Sequence, residues 1–396
     1  MKRVIITTLV TALLVLAVFS VFNSFWTPAQ ELNLVKVGFV YKNDESTPYT
    51  YNFMLAQDAL ERAYPGRVQI FTRSNVTEAE TLEPVHELVR EGCEIIFTNN
   101  NSEQMIEAAR EYPDVQFCQG AYTVDDHSED PDNYHSFAGA IYEARYASGV
   151  VAGMKLREMI DQHIITADEA VVGFVGAYPY ADIISAYTSF LLGVRSVAPE
   201  ATMRVRYVHA WNSYNREKAC AKALIDEGCI VIAQHTDTFG PAMACEEASA
   251  ERKVFHVGYH QSALDIAPGT SLTSARTDWA PYVVGAVGAV MEGKEIEKTV
   301  PGAVFDHDMC AGFDEGWVDV TELNKQIVAY GTQEKLDKVI EGFRKGAIEV
   351  FKGDYTGVDP VDPGDTVDLS EGYRENAATS WPTFHYVLND VITVDE

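Results

Sequence analysis

Aromatic and amide side chains gather where the sequence predicts that strands end. Residues 48–52 (PYTYN) follow the first apolar strand, residues 177–180 (AYPY) follow a matching strand, and Trp211 follows a third. Aromatic rings stack on flat ligands, while amides and carboxylates pair with the polar edges of such ligands. These residues therefore predict a binding site for a flat heteroaromatic molecule. The alternative is that the rings cap the hydrophobic core, but their equivalent positions in two halves of the chain favour a binding site.

Histidine and aspartate side chains occupy further predicted strand ends. His235, Asp237 and His260 meet the minimum number of ligands for zinc, and histidine titrates near neutral pH. Their neighbours are hydrogen-bonding and aromatic residues, which favours ordinary polar contacts to a ligand over a metal site. The sequence contains no GxSxG, HExxH or Walker A motif, and no GxGxxG after a strand. A hydrolase or kinase is therefore unsupported, although enzymes without short motifs exist, and we expect no metal and no cofactor.

Composition and charge limit the classes of partner. The 396 residues carry 30 Lys and Arg against 59 Asp and Glu, a formal net charge of −29. This balance argues against a nucleic-acid-binding protein, which needs a basic face, and against binding to an anionic lipid surface. Small molecules and proteins remain as partners. The length indicates two or three domains, and a hydrophobic content of 47% is sufficient for a buried core.

The N-terminal segment predicts export. Residues 4–22 are uncharged and follow Lys2 and Arg3. As a helix they would span about 28 Å, close to the hydrocarbon core of a bilayer. The positive charges predict that the N-terminus stays inside while the rest is exported. Residues 1–22 are then either an uncleaved anchor at the extracytoplasmic face of the cell membrane or the signal of a secreted or periplasmic protein, and residues 23–34 form a tether.

The six cysteines show no paired or metal-ligand spacing. Cys93 and Cys229 each follow a glycine and begin an apolar strand, which is typical of buried free thiols. A disulfide in an exported protein is the alternative.

The C-terminal region combines a predicted helix with a polar stretch. Residues 333–351 have the apolar spacing of an amphipathic helix. Residues 354–368 are rich in Pro, Gly and Asp, which predicts an extended surface loop. Five aspartates in this stretch could bind calcium, but their spacing lacks the EF-hand pattern and its terminal Glu. We expect a solvated turn there.

The chain contains a weak internal repeat with an offset of about 136 residues. VGFV occurs at residues 37–40 and 172–175, and LVREGCEIIF at 88–97 matches LIDEGCIVIA at 224–233. In each of the last two stretches a helix ends at a glycine and a buried strand follows. Each half reads β-α-β-α-β-α-β, which predicts two lobes with parallel sheets and ligand-binding loops facing a cleft between them. Chance similarity between two ordinary α/β domains is the alternative.

Longer stretches extend this pattern, namely residues 142–153 (YEARYASGVVAG), 172–196 (VGFVGAYPYADIISAYTSFLLGVRS), 223–237 (ALIDEGCIVIAQHTD) and 267–282 (APGTSLTSARTDWAPY). In this order they resemble the basic membrane protein (BMP) family of ABC-transporter substrate-binding proteins, from about residue 35 to 357. The resemblance is greatest to the branch with a QHTD stretch, which is associated with purine bases. It implies an α/β structure with the type I periplasmic-binding-protein fold, in which a three-segment hinge joins two doubly wound parallel-sheet lobes.

The resemblance also implies a domain organisation and a function. Lobe 1 is expected to comprise residues 35–141 and 276–305, and lobe 2 residues 142–275 and 306–396 with a C-terminal extension. We expect an extracytoplasmic solute-binding protein of an ABC importer that binds a purine base or nucleoside between the lobes and delivers it to the permease. The resemblance implies no catalysis. The alternatives are a different ligand, such as a sugar or amino-acid derivative, a sensor that signals through a separate membrane partner, and an enzyme of the nucleoside hydrolase or phosphorylase type.

Carried over by position, the resemblance implies eight ligand-binding residues. Tyr49 stands where the branch has an aromatic stacking residue, and Trp211 and Asp237 match the family's Trp and its QHTD aspartate. The full set is Tyr49, Tyr51, Asn52, Asn100, Tyr178, Trp211, Asp237 and His260.

Two features depart from the family pattern. The chain has no cysteine before Cys93 that could carry a lipid anchor, so the N-terminal helix would provide the tether. His260 stands where many members have Asp. A neutral imidazole offers one donor and one acceptor in place of an acceptor-only carboxylate.

Overall fold

The computed structural model describes residues 34–120 and 130–395. The predicted anchor and nearly all of the predicted tether therefore lie outside the described residues. Within the two described ranges, none of the helices combines the length and the apolar character that a membrane span requires.

Two large sheets organise the chain. Sheet 1 consists of β1 (Val35–Val40), β2 (Val68–Arg73), β3 (Ile95–Thr98), β4 (Gln116–Gly120), β5 (Tyr134–Gly139), β11 (Ala303–Phe305) and β12 (Asp308–Ala311). Its strand order is β11-β12-β5-β4-β3-β1-β2, and all pairs are parallel except β11 with β12.

Sheet 2 repeats this arrangement in the second half of the chain. It consists of β6 (Val171–Gly176), β7 (Thr202–Tyr207), β8 (Val231–His235), β9 (Phe255–Tyr259), β10 (Ser271–Thr277), β13 (Val318–Val320) and β17 (Ile392–Asp395). Its strand order is β13-β10-β9-β8-β6-β7-β17, and only β13 pairs antiparallel to its neighbour. Both sheets are thus mixed at one edge and parallel elsewhere, as crossover helices require.

Helices cover both faces of each sheet. They are α1 (Pro48–Ala63), α2 (Leu82–Arg90), α3 (Gln104–Glu111), α4 (Ile141–Asp161), α5 (Ala181–Arg195), α6 (Tyr214–Asp226), α7 (Gly240–Ala248), α8 (Ala280–Glu292) and α9 (Thr332–Arg344). On sheet 1, α1 and α8 share one core with residues such as Phe39, while α2 and α3 share another with Val40. On sheet 2, α4 and α5 pack against Phe174, and α6 and α7 pack against Val175. Successive residues of the central strands therefore enter opposite cores, as the pleat of a strand dictates.

The internal repeat has a common structural basis. Both α2 and α6 end at glycines in the left-handed conformation, Gly92 with φ +89° and Gly228 with φ +96°. Glycine adopts this conformation without the steric cost that a Cβ would add. In both copies the residue after the glycine donates its N–H to the carbonyl five residues earlier, at 3.0 Å. The predicted helix ends are confirmed, and each turn leads into a buried strand, β3 or β8.

The chain passes between the two sheets three times. β5 leads to α4, β10 leads to α8, and β12 leads to β13. The three connections run side by side, since Ala140 N donates to Ala311 O and Asp278 N donates to Trp317 O, both at 2.8 Å. The predicted architecture of two α/β lobes joined by three segments is confirmed. The sequence places residues 306–396 in lobe 2, whereas β12 within this range pairs with β5 in sheet 1.

The C-terminal region differs from the sequence prediction. α9 ends at Arg344 instead of near residue 351, because Gly346 takes a left-handed φ of +62° and turns the chain. The predicted loop at residues 354–368 is wrong in part: it contains an antiparallel hairpin of β14 (Thr356–Val358) and β15 (Thr366–Asp368). β16 (Val387–Leu388) completes this third sheet, and β17 extends the edge of sheet 2 beside β7.

The six cysteines have no disulfide partner. Cys220 is half-buried and the other five are buried. The prediction of structural free thiols is confirmed.

Candidate ligand-binding site

A cavity of about 530 Å³ opens between the lobes at the carboxyl ends of the central strands. This is where ligands bind in open α/β sheets, and the volume falls in the range of small-molecule sites. Its lining residues are Lys42, Tyr49, Glu78, Asn99, Asn101, Tyr180, Asp182, Trp211, His235, Asp237, Tyr259, His260 and Trp381.

The wall from lobe 1 is polar, and its groups are largely occupied by contacts within the lobe. Asn99 follows β3; its Oδ1 accepts from Lys42 N at 2.8 Å and its Nδ2 donates to Thr50 Oγ1 at 3.3 Å. Lys42 Nζ pairs with Glu78 Oε1 at 2.8 Å. Tyr49, in the first turn of α1, donates its hydroxyl to Asn99 O at 3.2 Å. These contacts fix the loops after β1 and β3 before any ligand arrives.

The wall from lobe 2 is a series of rings that we call the aromatic floor: Trp211, His235, Tyr259 and His260. Tyr259 lies between the two imidazoles, with ring centroids 4.1 Å from His235 and 3.6 Å from His260. Trp211 lies 6.3 Å from His235. Across the cleft, the Tyr49 ring is 5.2 Å from His260. The rings therefore form a stacking surface that one aromatic residue of lobe 1 meets from the other side.

A buried arginine supports the aromatic floor from below. Arg145 lies in the first turns of α4, and its guanidinium carbon is 4.0 Å from the centroid of the Tyr259 ring. It donates to the carbonyl of Gln234 at 2.8 Å. Burial lowers the pKa of Arg145 to about 10, so the group keeps its charge at neutral pH. The contact combines a cation–π interaction with a hydrogen bond at the end of β8.

The two floor histidines are neutral and incompletely hydrogen-bonded. Burial, together with the positive charge of Arg145, holds the pKa of His235 and of His260 well below the ordinary value. Within the described residues, the Nδ1 atoms of both rings are buried and lack a hydrogen-bond partner. Buried polar atoms without partners are rare because they cost free energy. Each ring therefore lines the cavity while one of its nitrogens stays buried and unsatisfied.

Two buried carboxyl groups complete this side of the cavity. Asp182 lies in the first turn of α5, and Asp237 follows β8. Burial raises the pKa of each to about 7; the nearby charge of Glu217 adds to the effect at Asp237. Carboxyl groups with such pKa values accept hydrogen bonds when ionised and donate one when protonated.

Another cavity, of about 500 Å³, lies where the C-terminal region meets the connections between the sheets. Its lining includes the acidic residues Glu143, Asp314, Glu371 and Glu375. Burial raises the pKa of Glu143 to about 7. This cavity lies beside the segments that follow β5 and β12, near one edge of sheet 1, and not at the carboxyl ends of the central strands of both sheets. The first cavity is therefore the better candidate for a ligand site.

Comparison with known proteins identifies the family. The sequence profile of the family described as ABC transporter substrate-binding protein PnrA-like matches residues 36–349. The chain belongs to this family. The match covers both sheets except β17 and ends before the third sheet, so residues 350–396 lie beyond it.

Relatives within and around the family differ in the ligand that their names give. A purine-binding protein of Brucella abortus (strain 2308) is 29% identical over 265 residues, 65% of this chain and 69% of that protein. A putative ABC transporter glucose-binding protein of Haloferax volcanii is 28% identical over 242 residues, 60% of this chain and 56% of that protein. Membership of the family implies a small-molecule ligand and a permease partner.

A solved structure supports the fold. The solute-binding protein of an ABC transporter system from Conexibacter woesei DSM 14684 has a TM-score of 0.62 at 18% identity. The similarity covers 79% of this chain and 97% of that chain. The predicted periplasmic-binding fold is confirmed by this likeness, and the predicted family is confirmed by the profile match.

Of the eight residues predicted from the sequence, four line the cleft between the lobes: Tyr49, Trp211, Asp237 and His260. Tyr49 lies in α1, and the other three follow the ends of β7, β8 and β9, so the fold brings together residues that are distant in the chain. Their role in binding stays a prediction.

The other four predicted residues lie outside the cavity lining. Tyr51 is exposed on α1, because two residues along a helix turn a side chain by about 200° from Tyr49. Asn52 is buried and donates to Thr277 O at 2.6 Å. Asn100 is buried and donates to Val76 O at 2.8 Å. Tyr178 is not a lining residue; its ring stacks on Tyr180 with centroids 5.1 Å apart and lies 5.8 Å from Trp211, both of which line the cavity.

Several lining residues were missed by the sequence argument although they neighbour predicted ones. Asn99 and Asn101 flank Asn100, and alternation along an extended chain places them on the cavity side. His235, two residues before Asp237, also lines the cavity; the sequence placed it at a strand end but did not include it among the eight ligand-binding residues. Trp381 has no signal in the sequence at all, because nothing in the repeat or the family stretches indicates that the C-terminal region reaches the cleft.

Proposed function

We propose that this protein binds a purine base or nucleoside between its lobes and delivers it to the permease of an ABC importer. The observation that carries the proposal is the aromatic floor, which lines the same cavity as two buried carboxyl groups. The relative named as a purine-binding protein adds support.

The shape of the site suits a flat bicyclic ring. Trp211 and Tyr259 offer extended faces on lobe 2, and Tyr49 offers a ring on lobe 1. Stacking on such rings contributes about 1–3 kcal/mol per base when a base is bound. A purine ring inserted between Tyr49 and the floor would be covered on both faces.

The polar groups suit the edges of a purine. A purine presents ring nitrogens that accept hydrogen bonds and N–H groups that donate them. His235 and His260 line the cavity, and a neutral imidazole offers one donor and one acceptor. Asp182 and Asp237 accept from N–H groups when ionised. The site can therefore match both kinds of edge.

The charge of the cavity argues against phosphorylated nucleotides. Three acidic residues, Glu78, Asp182 and Asp237, line it, while Lys42 is its only lysine or arginine. Lys42 is already paired with Glu78. A phosphate group would lose its hydration without gaining a free cation, which is costly. Bases and nucleosides carry no such charge.

The C-terminal extension contributes a further wall. Trp381 lines the cavity, and the turn that carries it is tied to both lobes. Ser380 N donates to Asp308 Oδ2, on β12 of sheet 1, at 2.6 Å. On the other side, Glu375 Oε2 accepts from Ser185 on α5, at 2.6 Å. We infer that this segment narrows the cleft and gives the protein a ring that residues 36–349 do not supply.

Delivery to a permease requires that the lobes work outside the cytoplasm. The uncharged N-terminal run and its flanking Lys2 and Arg3 support an exported protein that is held at the membrane. Fractionation of cells that express the full chain tests this point. An anchored protein stays with the membrane after a salt wash, and external protease removes the lobes; recovery in the cytosol would contradict the proposal.

Calorimetric titration of the purified full chain tests the ligand. The panel holds adenine, guanine, their nucleosides and nucleotides, pyrimidines, glucose and amino acids. We expect heat from a purine base or nucleoside and none from the matching nucleotide. Trp211→Ala should weaken this binding, while Tyr51→Ala, which removes an exposed ring outside the cavity, should leave it unchanged.

Glucose or another sugar is the second candidate ligand. The name of the Haloferax volcanii relative favours it, and sugars also stack on aromatic rings and bind carboxylates. Heat from a sugar and none from purines in the same panel would replace the purine proposal while leaving the family assignment intact.

A further inference from the structure

We propose that His135, His307 and Glu297 form a binding site for a divalent transition metal, Zn²⁺ in the first place, at the edge of lobe 1. This histidine–carboxylate cluster is separate from the ligand cavity, whose lining contains none of the three residues. One ligating atom of each residue lies within 4.8 Å of the others.

The three side chains come from different segments and converge on one point. His135 lies on β5, Glu297 lies between α8 and β11, and His307 lies in the turn between β11 and β12. The Nδ1 of His135 is 2.5 Å from Glu297 Oε1, and the Nδ1 of His307 is 3.2 Å from the same oxygen. The two imidazole rings are inclined by 76° with centroids 5.7 Å apart. Both Nδ1 atoms therefore approach a single carboxylate.

These distances are close to those of a zinc site. Zinc bonds of about 2.0–2.1 Å in a tetrahedron place neighbouring ligand atoms about 3.3 Å apart. The distance from His307 to Glu297 already meets this value. The distance from His135 is shorter, so the Glu297 carboxylate would move outward to admit the ion.

The remaining nitrogen of His135 is positioned as in a metal-binding histidine. Its Nε2 is 2.8 Å from Gln116 Oε1, an acceptor that holds a proton on Nε2. With Nε2 protonated, the lone pair of a neutral ring lies on Nδ1, which faces Glu297. Ligating histidines commonly donate their second nitrogen to such an acceptor. A metal ion would satisfy Nδ1 without requiring a second proton on this buried ring.

The burial of the cluster fits an open metal site. The side chain of His135 is 3% exposed, that of Glu297 13% and that of His307 24%. The ion would therefore be enclosed on the His135 side and accessible beside His307, where water could supply a fourth ligand. Imidazole and carboxylate are ligands that zinc accepts in such three-residue sites.

A metal ion at the proposed site would link segments that lie beside the hinge. It would join β5, the segment after α8 and the β11–β12 turn, and β12 leads directly into one of the three connections between the lobes. An ion that binds only the folded protein stabilises it, so we expect zinc to raise the melting temperature.

Zinc counting on the purified full chain tests the proposal. The protein is stripped with EDTA, dialysed against Zn²⁺ at pH 7.5 and measured by mass spectrometry of the metal. We expect wild type to retain one more equivalent of zinc than His307→Ala, and only wild type to gain thermal stability from it. His307 is partly exposed in a turn, so this variant should fold. Equal zinc content in the two proteins, or none in wild type, would overturn the proposal.

A matched control separates this cluster from the other histidine-containing one. His385 lies with Asp359 and Asp365 in the third sheet region. His385→Ala should retain the zinc that His307→Ala loses; the reverse result would refute the assignment. Gln116→Ala keeps all three zinc ligands but removes the acceptor for the Nε2 of His135. The zinc affinity of this variant should therefore fall about 10- to 100-fold. Unchanged affinity in Gln116→Ala would contradict the role given to the His135 tautomer.

Discussion

The two walls of the ligand cleft differ in how far their polar groups are already satisfied. On lobe 1, Asn99 bonds within its own lobe through both ends of its amide, and Lys42 is paired with Glu78. On lobe 2, the buried nitrogens of His235 and His260 have no partner within the described residues. Interactions that are satisfied before binding add little to affinity, whereas unsatisfied buried groups gain most from a ligand.

The comparison indicates a division of labour between the lobes. In the proposed binding mode, lobe 2 would hold the ligand through the aromatic floor and its carboxyl groups, and lobe 1 would cover it with Tyr49. Movement of the lobes about the three connections between them would bring Tyr49 closer to the aromatic floor. Substitutions in lobe 2 should therefore reduce the affinity for the ligand more than substitutions in lobe 1.

Trp211→Ala is expected to cause the largest loss of affinity. It removes the largest ring of the aromatic floor, and loss of stacking costs about 1–3 kcal/mol, or about 5- to 150-fold in the dissociation constant. We expect about 50-fold for Trp211→Ala and about 5-fold for Tyr49→Ala, both measured by calorimetric titration with the best purine ligand. Tyr51→Ala serves as the control on the same helix as Tyr49. An equal loss for Trp211→Ala and Tyr49→Ala would show that the two walls contribute alike.

The next largest effect is expected for Asp237→Asn, whose effect on stability should depend on pH. Burial raises the pKa of Asp237 to about 7 in the folded state, against about 4 for an ordinary Asp. Folding therefore favours the protonated form, and this contribution to stability is lost as pH rises from about 4 through 7. The difference in melting temperature between Asp237→Asn and wild type should grow in favour of the variant from pH 5 to pH 8, by a few degrees. A constant difference would contradict the raised pKa.

The buried histidines act in the opposite direction and must be separated from this effect. Their pKa values are lowered in the folded state, so they reduce stability as pH falls below their ordinary value of about 6.5. Both proteins contain them, and the difference between wild type and variant cancels their contribution. At pH 8 the ionised Asp237 should also bind the N–H groups of a purine, so Asp237→Asn should lose about 10-fold in affinity there and less at pH 6.

An intermediate effect is expected for Trp381→Ala. This ring belongs to neither sheet, and the turn that carries it is held by Asp308 from lobe 1 and through Glu375 from lobe 2. Its removal should weaken purine binding about 5-fold and should reduce the change in tryptophan fluorescence on binding. Trp317→Phe, in the core of lobe 1 and outside the cavity, is the control for the fluorescence. Unchanged affinity in Trp381→Ala would place the extension outside the binding site.

The sequence was informative where local rules determine structure. The repeated glycine at the ends of α2 and α6 identified two equivalent strands, because only a left-handed turn connects such a helix to the buried strand that follows. Strand ends in turn located Trp211, Asp237 and His260 in the cleft. Within that frame, side-chain direction decided which predicted residues line the cavity: Tyr51 and Asn100 are neighbours of lining residues but lie outside the lining.

The remaining features depend on contacts between distant segments. Arg145 supports the aromatic floor although it lies 114 positions before Tyr259. No local sequence pattern indicates that these two residues are in contact. Trp381 reaches the cleft only because the C-terminal turn bonds to both lobes. The antiparallel hairpin of β14 and β15 likewise formed in a stretch whose prolines, glycines and aspartates indicate a loop. Such contacts are set by tertiary packing and not by local propensity.

The smallest effect is expected for Lys42→Gln, in the wall from lobe 1. The side chains of Lys42 and Glu78 are 36% and 48% exposed, and pairs of this kind contribute about 0–1 kcal/mol. If lobe 1 is mainly a cover, the affinity for a neutral purine nucleoside should change less than about 2-fold. A loss as large as that of Trp211→Ala would mean that the lysine contacts the ligand directly. That result would reverse the division of labour, and it would also reopen the case for a phosphorylated ligand.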